Sequence, residues 1–288
     1  MVLKYIVTNE NYQNINQILK QEFNISARLL HKLITSQHIF LNDIVSDTRT
    51  IVNIGDIITV NLDFEENSEN IVSTQMHLDI VFEDDSFLIL NKPAGIAVHP
   101  SILHYNDTLS NGVKFYFESI GLKRKIRPVN RLDLNTSGLV VFAKNEYIQE
   151  SLIKQMQSNS FQKEYIAIVS GNFENKSGTI NLPIARKENS IIERCISDEG
   201  QEAITDYTVL KEFDKYSIVK CSLKTGRTHQ IRVHMSAISH PLLGDTLYGI
   251  SSPLIDRQAL HSYRICFIHP VSKKSMDFIC DLPNDMKF

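Results

Sequence analysis

The chain has 288 residues, of which 42% are hydrophobic and 22% are charged, and its formal net charge is −3. The length allows one large domain or two ordinary ones, and the apolar content excludes a globally disordered protein. The mild acidity excludes nucleic-acid binding through bulk charge alone, although it leaves room for a local basic groove.

The N-terminus and the cysteines predict a cytoplasmic protein. The first residues have no apolar core followed by a small-residue cleavage site, so no signal peptide is expected. No apolar run is long enough to span a bilayer, so no membrane association is expected either. The cysteines form no CxxC pair, which favours reduced thiols in or near a core over a zinc or redox site. They are Cys195, Cys221, Cys266 and Cys280.

The N-terminal segment reads as two helices followed by short strands. Hydrophobic residues recur at helical spacing from Ile15 to Phe23, and a second helix begins after Ser26, a typical N-cap. Residues 39–41 predict a strand, residues 42–43 predict a tight turn, and residues 51–60 predict a second turn and strand.

An acidic stretch divides the chain. Residues 65–70 carry three glutamates and no apolar period, so we expect a linker over residues 65–75. The linker separates an N-terminal domain, residues 1–64, from a second domain, residues 76–288.

The second domain is rich in strands, with a few helices. Helices are predicted after the N-cap Asn145 and over residues 228–238. Strands are predicted at residues 79–83, 87–91, 138–144, 163–171 and 216–224.

Two basic blocks lie within this second domain. Residues 119–132 contain five basic residues and no acid, and the same is true of residues 215–244. Phosphate contacts need only such a local excess of positive charge. A run of charges is equally typical of an ordinary solvated face, and only the candidate catalytic segments beside both blocks favour a binding role.

An arginine and an aspartate, Arg131 and Asp133, bracket one apolar residue just before a predicted strand. The polar turn at residues 136–138 can hold the aspartate loop through local hydrogen bonds. A carboxylate held among cations at a strand entry can act as a nucleophile or as a base. A surface ion pair would explain the bare string RLD equally well.

Three segments resemble the motifs of the RluA-type pseudouridine synthases. Residues 131–144, RLDLNTSGLVVFAK, are similar to the signature HRLDxxTSGxxxxAK, with Asn130 where the family most often has His. Residues 163–171 resemble the motif KxYxAxVxG, and residues 223–249, with GRTHQIRVH, resemble the third motif. Several long motifs in the right order are far more specific than one short motif.

The resemblance covers nearly all of residues 78–288, including the strings NKPAG at 91–95 and RQALH at 257–261. It implies an α+β fold, with a mixed, mainly antiparallel sheet in a catalytic domain that has a central cleft. It also implies conversion of uridine to pseudouridine in RNA. The uracil is detached from C1′ of its ribose, rotated and rejoined through C5, with no cofactor.

Residues 25–60 resemble a small α/β module, the α-L RNA-binding domain. The turn at residues 42–43 lacks the usual glycine, and the segment up to Thr74 has five basic and nine acidic residues. Its RNA contact would therefore rest on one helix face that bears Arg28 and Lys32.

The resemblance implies a role for each matching site residue. Asp133 matches the catalytic aspartate, and the sequence leaves open whether it acts as nucleophile or as base in an elimination. Arg227 matches the residue that pairs with this aspartate, and a phosphate contact is its alternative role. Tyr165 matches the aromatic residue that stacks on the base and whose hydroxyl can take part in moving the C5 proton, and a plain core tyrosine is its alternative. Arg131 matches the residue that fills the gap left by the flipped uridine.

Further RNA contacts are expected at Lys123, Arg124 and Arg232 of the basic blocks. We expect no metal site, because on a helix His229 and His234 would point roughly 140° apart. The expected partner is RNA, most simply ribosomal RNA of the large subunit, with tRNA as the alternative, and the expected oligomeric state is a monomer.

Two other functions compete with this one. An RNA-binding assembly factor with a silent active site would not need Asp133, Tyr165 and Arg227 together. A glycosidase would need two carboxylates, for example Asp133 and Asp245, but the chain has no Trp for an aromatic sugar platform.

Overall fold

The computed structural model describes residues 1–66, 68–249 and 251–287. Across these residues no helix combines the length and the apolar character needed to cross a membrane. The elements follow the chain as β1 (Val2–Ile6), α1 (Ile15–Gln21), α2 (Ala27–Thr35), β2 (Ile39–Leu41), β3 (Ile44–Val45), β4 (Ile57–Asn61), β5 (Ile80–Glu83), β6 (Phe87–Lys92), α3 (Leu109–Ser119), β7 (Arg127–Pro128), β8 (Ser137–Ala143), α4 (Glu146–Gln157), β9 (Gln162–Ser170), β10 (Ser177–Asn181), β11 (Ile184–Arg186), β12 (Arg194–Ile196), β13 (Ile204–Glu212), β14 (Tyr216–Leu223), α5 (Gln230–Ala237), β15 (Leu260–Ile268), β16 (Ser275–Ile279) and a 3₁₀ turn (Asn284–Met286).

The N-terminal strands form their own sheet in the order β1-β4-β2-β3. Both predicted helices are present, and their N-caps are set by sequence. Asn14 accepts a hydrogen bond from the amide of Gln17, and Ser26 accepts one from the amide of Leu29. The predicted turn forms at Asn42 and Asp43, both with positive φ. Strand β1, which no sequence pattern predicted, pairs with β4 and completes this sheet.

The second sheet has ten strands along the path β10-β13-β14-β9-β15-β8-β6-β5, with β16 beside β15 and β7 beside β8. Its strand pairs are antiparallel, apart from the parallel pair of β15 and β8. The predicted α+β class with a mainly antiparallel sheet is therefore confirmed.

Strand β8 is buried along its whole length because both faces of the sheet are covered. Leu139 and Val141 face the core of α4, which is continuous with the core of the N-terminal segment. Val140 and Phe142 face the other way and pack with α3, in what we call the α3 cluster. Helix α5 packs on β9 and β14 in a separate α5 cluster.

The sheet centre brings three distant segments together at Ser262 of β15. Ser262 lies opposite Tyr165 of β9 and opposite Gly138 of β8. Gly138 has φ +108°, and a Cβ atom there would lie 2.3 Å from the carbonyl oxygen of Ser262. The glycine of the TSG turn is therefore required by the close approach of two backbones.

Replacing Gly138 by alanine is expected to lower the free energy of unfolding by more than about 3 kcal/mol, because strain and a backbone clash add. Chemical denaturation measures the change. Gly55→Ala is the matched control, because Gly55 also has positive φ but a Cβ there meets nothing within 4 Å. An equal loss in both variants would show that conformation alone, and not the contact with Ser262, sets the cost.

The predicted linker is packed against both halves of the chain. Ile71 is buried in the α3 cluster. The carboxylate of Glu66 lies 2.7 Å from Lys32 Nζ of α2 and 2.7 Å from Arg127 Nη1 of β7. The side chain of Glu66 is only 8% exposed. Burial raises the pKa of Glu66, but its hydrogen bonds to Arg127 and Lys32 lower the pKa below its ordinary value overall.

Glu66→Gln is expected to lower the free energy of unfolding by about 2–3 kcal/mol at pH 7, because Arg127 loses its charged partner and Lys32 loses the nearer of its two. Since the pKa is lowered in the folded state, this stabilisation is present above the ordinary value of 4.5 and is lost as the pH falls through the folded pKa. Denaturation at several pH values measures it. The neighbouring Glu65 is 79% exposed, so Glu65→Gln should cost less than about 1 kcal/mol. A pH-independent difference between wild type and Glu66→Gln would contradict the assignment.

Candidate active site

Asp133 lies in the loop between β7 and β8, where the two halves of the large sheet meet. Its neighbour Leu132 packs against both the α3 cluster and the α5 cluster. The amide of Thr136 donates to the carbonyl of Asp133 at 3.0 Å and closes a tight turn. The apolar neighbour therefore anchors the loop, and the turn directs the carboxylate away from the core.

The buried side chain of Lys92 holds this loop in place. Lys92 is fully buried, and its ammonium donates to the carbonyls of Pro93, Ile96 and Leu134 at 2.7–2.9 Å. Burial lowers the pKa of Lys92 to about 7, although the charge of Asp133 opposes the shift. Three carbonyl acceptors satisfy all three N–H donors, so Lys92 fixes the backbone directly after Asp133.

The other side of the loop is fixed by Arg257 and Asn130. Arg257 Nη1 donates to the carbonyl of Asn135 at 3.0 Å, and its other nitrogens pair with Asp285. Asn130 is buried and bonds the β8 backbone at both ends of its amide, at Leu139 and Val141. An asparagine in place of the usual histidine thus still supports the loop.

The carboxylate of Asp133 pairs with Arg232, at 3.2 Å between Oδ2 and Nη1. This corrects the expected pairing with Arg227. The Nε of Arg227 donates instead to the backbone carbonyl of Glu202 at 2.9 Å. Helix α5 begins at Gln230, so Arg232 lies in its first turn and points inward, whereas Arg227 lies on the preceding loop and is exposed.

Arg232 is held rigidly by a second carboxylate. Its Nε and Nη2 donate to the two oxygens of Asp245 at 2.7 and 2.8 Å, and the ring of Tyr248 lies 5.0 Å from its guanidinium carbon. With only 7% of its surface exposed, Arg232 is a buried partner of Asp133, and an RNA contact at this position stays a prediction. Asp245 is only 1% exposed, so its carboxylate cannot face a substrate. This excludes the hypothesis of a glycosidase that uses Asp133 and Asp245 as its two carboxylates.

His229 lies beside the same pair, with Nε2 3.8 Å from Asp133 Oδ2 and Nδ1 2.7 Å from the hydroxyl of Tyr248. Burial lowers the pKa of His229, and the charges of Arg232 and Arg194 add to the effect, while Asp133 opposes it. The imidazole is therefore neutral near pH 7. His234 has other partners, the hydroxyl of Thr205 and the carbonyl of Leu182.

Tyr165 faces the site from β9 and is 6% exposed. Burial raises the pKa of its hydroxyl well above the ordinary value, a hydrogen bond with Ser262 opposes the shift, and the charge of Asp133 adds to it. The phenol is therefore neutral at pH 7. It offers a ring face and an O–H donor, whereas the phenolate form is strongly disfavoured.

These groups surround an open cavity of about 850 Å³. Its volume is within the range of pockets that hold a small molecule or a single nucleotide. Asp133, Arg232 and Tyr165 lie on its wall together, and the exposed Arg131 and Arg227 line it as well. The arrangement offers one carboxylate beside a fixed cation, an aromatic face and two exposed guanidinium groups at the rim.

The other predicted RNA contacts lie where the N-terminal segment meets the second domain. Each is paired with a carboxylate: Arg28 and Lys32 with Glu146, Lys32 also with Glu66, Lys123 with Glu65, and Arg124 with Asp63. The four side chains therefore join the two parts of the chain. RNA contact at these positions stays a prediction.

Several residues that support the site were not predicted from the sequence to belong to it. Lys92 and Arg257 lie in NKPAG and RQALH, two strings that match the family, and this match was the available signal. Asp245, His229 and Tyr248 belong to the third motif, but nothing in a linear string shows that they surround one arginine.

Comparison with known proteins gives consistent matches. Residues 86–237 match the family model described as RNA pseudouridylate synthase. An uncharacterized RNA pseudouridine synthase of Bacillus subtilis, YhcT, is 37% identical over 98% of this chain and 94% of its own length. The ribosomal large subunit pseudouridine synthase D of Vibrio cholerae is 34% identical over 90% of this chain and 84% of its own length. The structure of human RNA pseudouridylate synthase domain containing 1 has a TM-score of 0.60 at 27% identity, covering 72% of this chain and 84% of the human chain.

Proposed function

The chain belongs to the RNA pseudouridylate synthase family, and from this membership we propose that it isomerises one uridine of large-subunit ribosomal RNA with Asp133 as the reacting group. The enzyme is an RNA pseudouridine synthase of the RluA/RluD type. The proposal concerns the residue roles and the RNA. The relative from Vibrio cholerae, which is named for the large ribosomal subunit, supports the choice of RNA.

One observation carries the assignment of Asp133. Its carboxylate lies on the wall of the cavity, 3.2 Å from a buried guanidinium that Asp245 holds in place. A carboxylate with a fixed rotamer can approach the ribose of a bound nucleotide without reorganising during the reaction. Asp245, by contrast, is sealed from the cavity.

Asp133 serves the isomerisation by one of two routes. In one it adds to C1′ as the N1–C1′ bond breaks, and in the other it removes the C2′ proton to give a glycal. In both, C1′ then bonds to C5 of the rotated uracil. In the first route the bond between Asp133 and C1′ breaks in this step, and in the second the proton returns from Asp133 to C2′. The C5 proton then leaves, and N1 ends protonated, so no oxidant or reductant is needed. Both routes require the same carboxylate at the same place.

Tyr165 acts in this scheme as a platform and a hydrogen-bond donor. Its ring lines the cavity, and its raised hydroxyl pKa keeps the phenol protonated. A neutral phenol can hold the detached uracil during its rotation by stacking. Tyr165 therefore positions the base and does not remove a proton.

Arg131 is the proposed group that occupies the helix position vacated by the target uridine. It lies two residues before Asp133, is exposed at the cavity, and has no carboxylate partner among the residues that the structure describes. A planar guanidinium free of ion pairs can stack between bases and offset part of the unstacking cost.

The remaining parts of the proposal concern organisation. Residues 1–64 serve as an RNA-binding module, residues 65–75 as a docked linker and residues 76–288 as the catalytic domain. The protein works as a monomer. Its location is cytoplasmic, because the enzyme must share a compartment with its RNA.

Mapping of pseudouridine tests the proposed substrate. Total RNA from host cells with and without the gene is labelled with a pseudouridine-specific reagent, and modified sites are read by primer extension. We expect one site in large-subunit ribosomal RNA to be lost on deletion and regained with the wild-type gene. Loss of a site only in tRNA would overturn the choice of RNA, and no lost site would overturn the proposed activity in this host.

A further inference from the structure

The chain has eleven arginines, and they divide into two classes by their partners. Seven form ion pairs with carboxylates: Arg28, Arg49, Arg124, Arg127, Arg232, Arg257 and Arg264. The other four, which have no such pair among the described residues, are Arg131, Arg186, Arg194 and Arg227. All four line the same pocket.

This four-arginine pocket is a concavity of about 420 Å³ beside the active site. Its only acidic lining residue, among those described, is Glu199, so positive charge predominates. Arg131, Gly226, Arg227 and Thr228 line both this pocket and the larger cavity that contains Asp133. The two spaces are therefore adjacent along one wall.

Two of the arginines face each other across a short ladder. Arg186 of β11 and Arg194 of β12 are direct cross-strand partners in the two-stranded sheet. Like charges placed opposite each other destabilise a strand pair. An anion between them would turn this repulsion into attraction.

Two of the guanidinium groups are already oriented by backbone carbonyls. Arg194 Nη1 donates to the carbonyls of Ile192 and Glu193 at 3.1 and 3.0 Å. Among the residues that the structure describes, Arg227 donates through Nε alone, to the carbonyl of Glu202 at 2.9 Å, so its two terminal nitrogens face the pocket without such a partner. Binding an anion here costs less side-chain entropy than binding to freely rotating arginines.

We propose that the four-arginine pocket binds a backbone phosphate of the RNA, in the same strand as the target uridine and next to it. The guanidinium fork matches the oxygens of a phosphodiester. The inference rests on the proposed function, because a uridine held against Asp133 places its neighbouring phosphate at the shared wall. It assigns RNA contacts to Arg186 and Arg194 and gives Arg227 a phosphate-binding role.

Salt-dependent RNA binding tests the site. The probe is an in vitro transcript of the host large-subunit ribosomal RNA, and affinity is measured at several salt concentrations. Arg186→Gln and Arg194→Gln should each weaken binding roughly tenfold at fixed salt. Each should also reduce the slope of log affinity against log salt by about 0.7–0.9.

Lys187→Gln is the matched control, because it removes one positive charge from the residue next to Arg186. Lys187 pairs with Glu193 at 3.0 Å and does not line the pocket. Its slope should equal that of wild type. The proposed phosphate site would be contradicted if Arg186→Gln left the salt dependence of RNA affinity unchanged. It would also be contradicted if Lys187→Gln reduced that dependence as much as Arg186→Gln.

A second arm separates RNA from free phosphate compounds. Inorganic phosphate and uridine monophosphate are titrated into the full-length protein by calorimetry, and no binding tighter than about 1 mM is expected, since one phosphate provides few contacts. Micromolar binding that Arg186→Gln abolishes would assign the pocket to a small molecule and overturn the RNA proposal.

Pseudouridine formation, measured on RNA from cells that lack the gene, separates the two proposals. If wild type forms no pseudouridine but the arginine variants still reduce the salt slope, the proposed function fails and the pocket stands. If wild type is active and Arg186→Gln has the wild-type slope of log affinity against log salt, the proposed phosphate site is wrong and the proposed function is retained.

Discussion

Asp133→Asn is expected to reduce pseudouridine formation by at least about 10⁴-fold, because an amide can neither add to C1′ nor remove a proton. The variant should keep the fold, since Asn has nearly the same size and the loop is held by Lys92, Arg257 and Asn130 rather than by the carboxylate. Single-turnover assays on RNA from cells that lack the gene measure the rate.

Asp214→Asn provides the control, because Asp214 is exposed and far along the chain in the turn between β13 and β14. It should have wild-type activity. Binding of RNA by Asp133→Asn should stay within a few-fold of wild type, so that the loss appears in the chemical step. Measurable conversion by Asp133→Asn at more than about one hundredth of the wild-type rate would refute the catalytic assignment.

The second large effect is expected at Arg232. Arg232→Met should lower the free energy of unfolding by about 3–5 kcal/mol, because Asp245 would stay buried without its partner. It should also reduce activity strongly, because Asp133 loses the group that fixes its rotamer. Denaturation and single-turnover assays measure the two effects separately.

The double variant Arg232→Met, Asp245→Leu distinguishes the two roles of this arginine. Replacing both members of a buried ion pair removes the uncompensated charge, so part of the stability should return. The recovery is incomplete, since Asp245 also accepts from the amides of Leu247 and Tyr248. Activity should not return, because Asp133 still lacks the guanidinium that fixes its rotamer. Recovery of both would show that Arg232 acts through stability alone.

Local features of the site were predictable from sequence to different degrees. The N-caps Ser26 and Asn145 and the apolar strand after Asp133 all form as predicted, because caps and periodicity involve residues a few positions apart. Strand β1 was not predicted, because a short edge strand has a weak pattern of its own and is defined by its pairing with β4.

The roles of the arginines near the site could not be predicted from the sequence. Arg227 and Arg232 lie in one motif, five residues apart, and both are basic residues beside the same cavity. Their roles separate only when α5 begins at Gln230 and directs Arg232 to a carboxylate 99 positions away. In the same way, the basic residues of block 119–132 include Lys123 and Arg124, which pair with acids near the linker. They also include Arg131, which has no carboxylate partner within the described part of the chain and lines the four-arginine pocket.

Sequence by itself determined the order of the motifs and, through the resemblance that these motifs carry, the family, the fold class and the candidate aspartate, because a motif match depends only on residue identity and order along the chain. The tertiary structure alone decided which arginine pairs with Asp133 and that four arginines without a carboxylate partner among the described residues share a pocket. It also decided that the acidic linker binds both halves of the chain. The physical reason is that the partner of a charge is set by distance in space, and here the partners lie tens of positions apart or more in the chain.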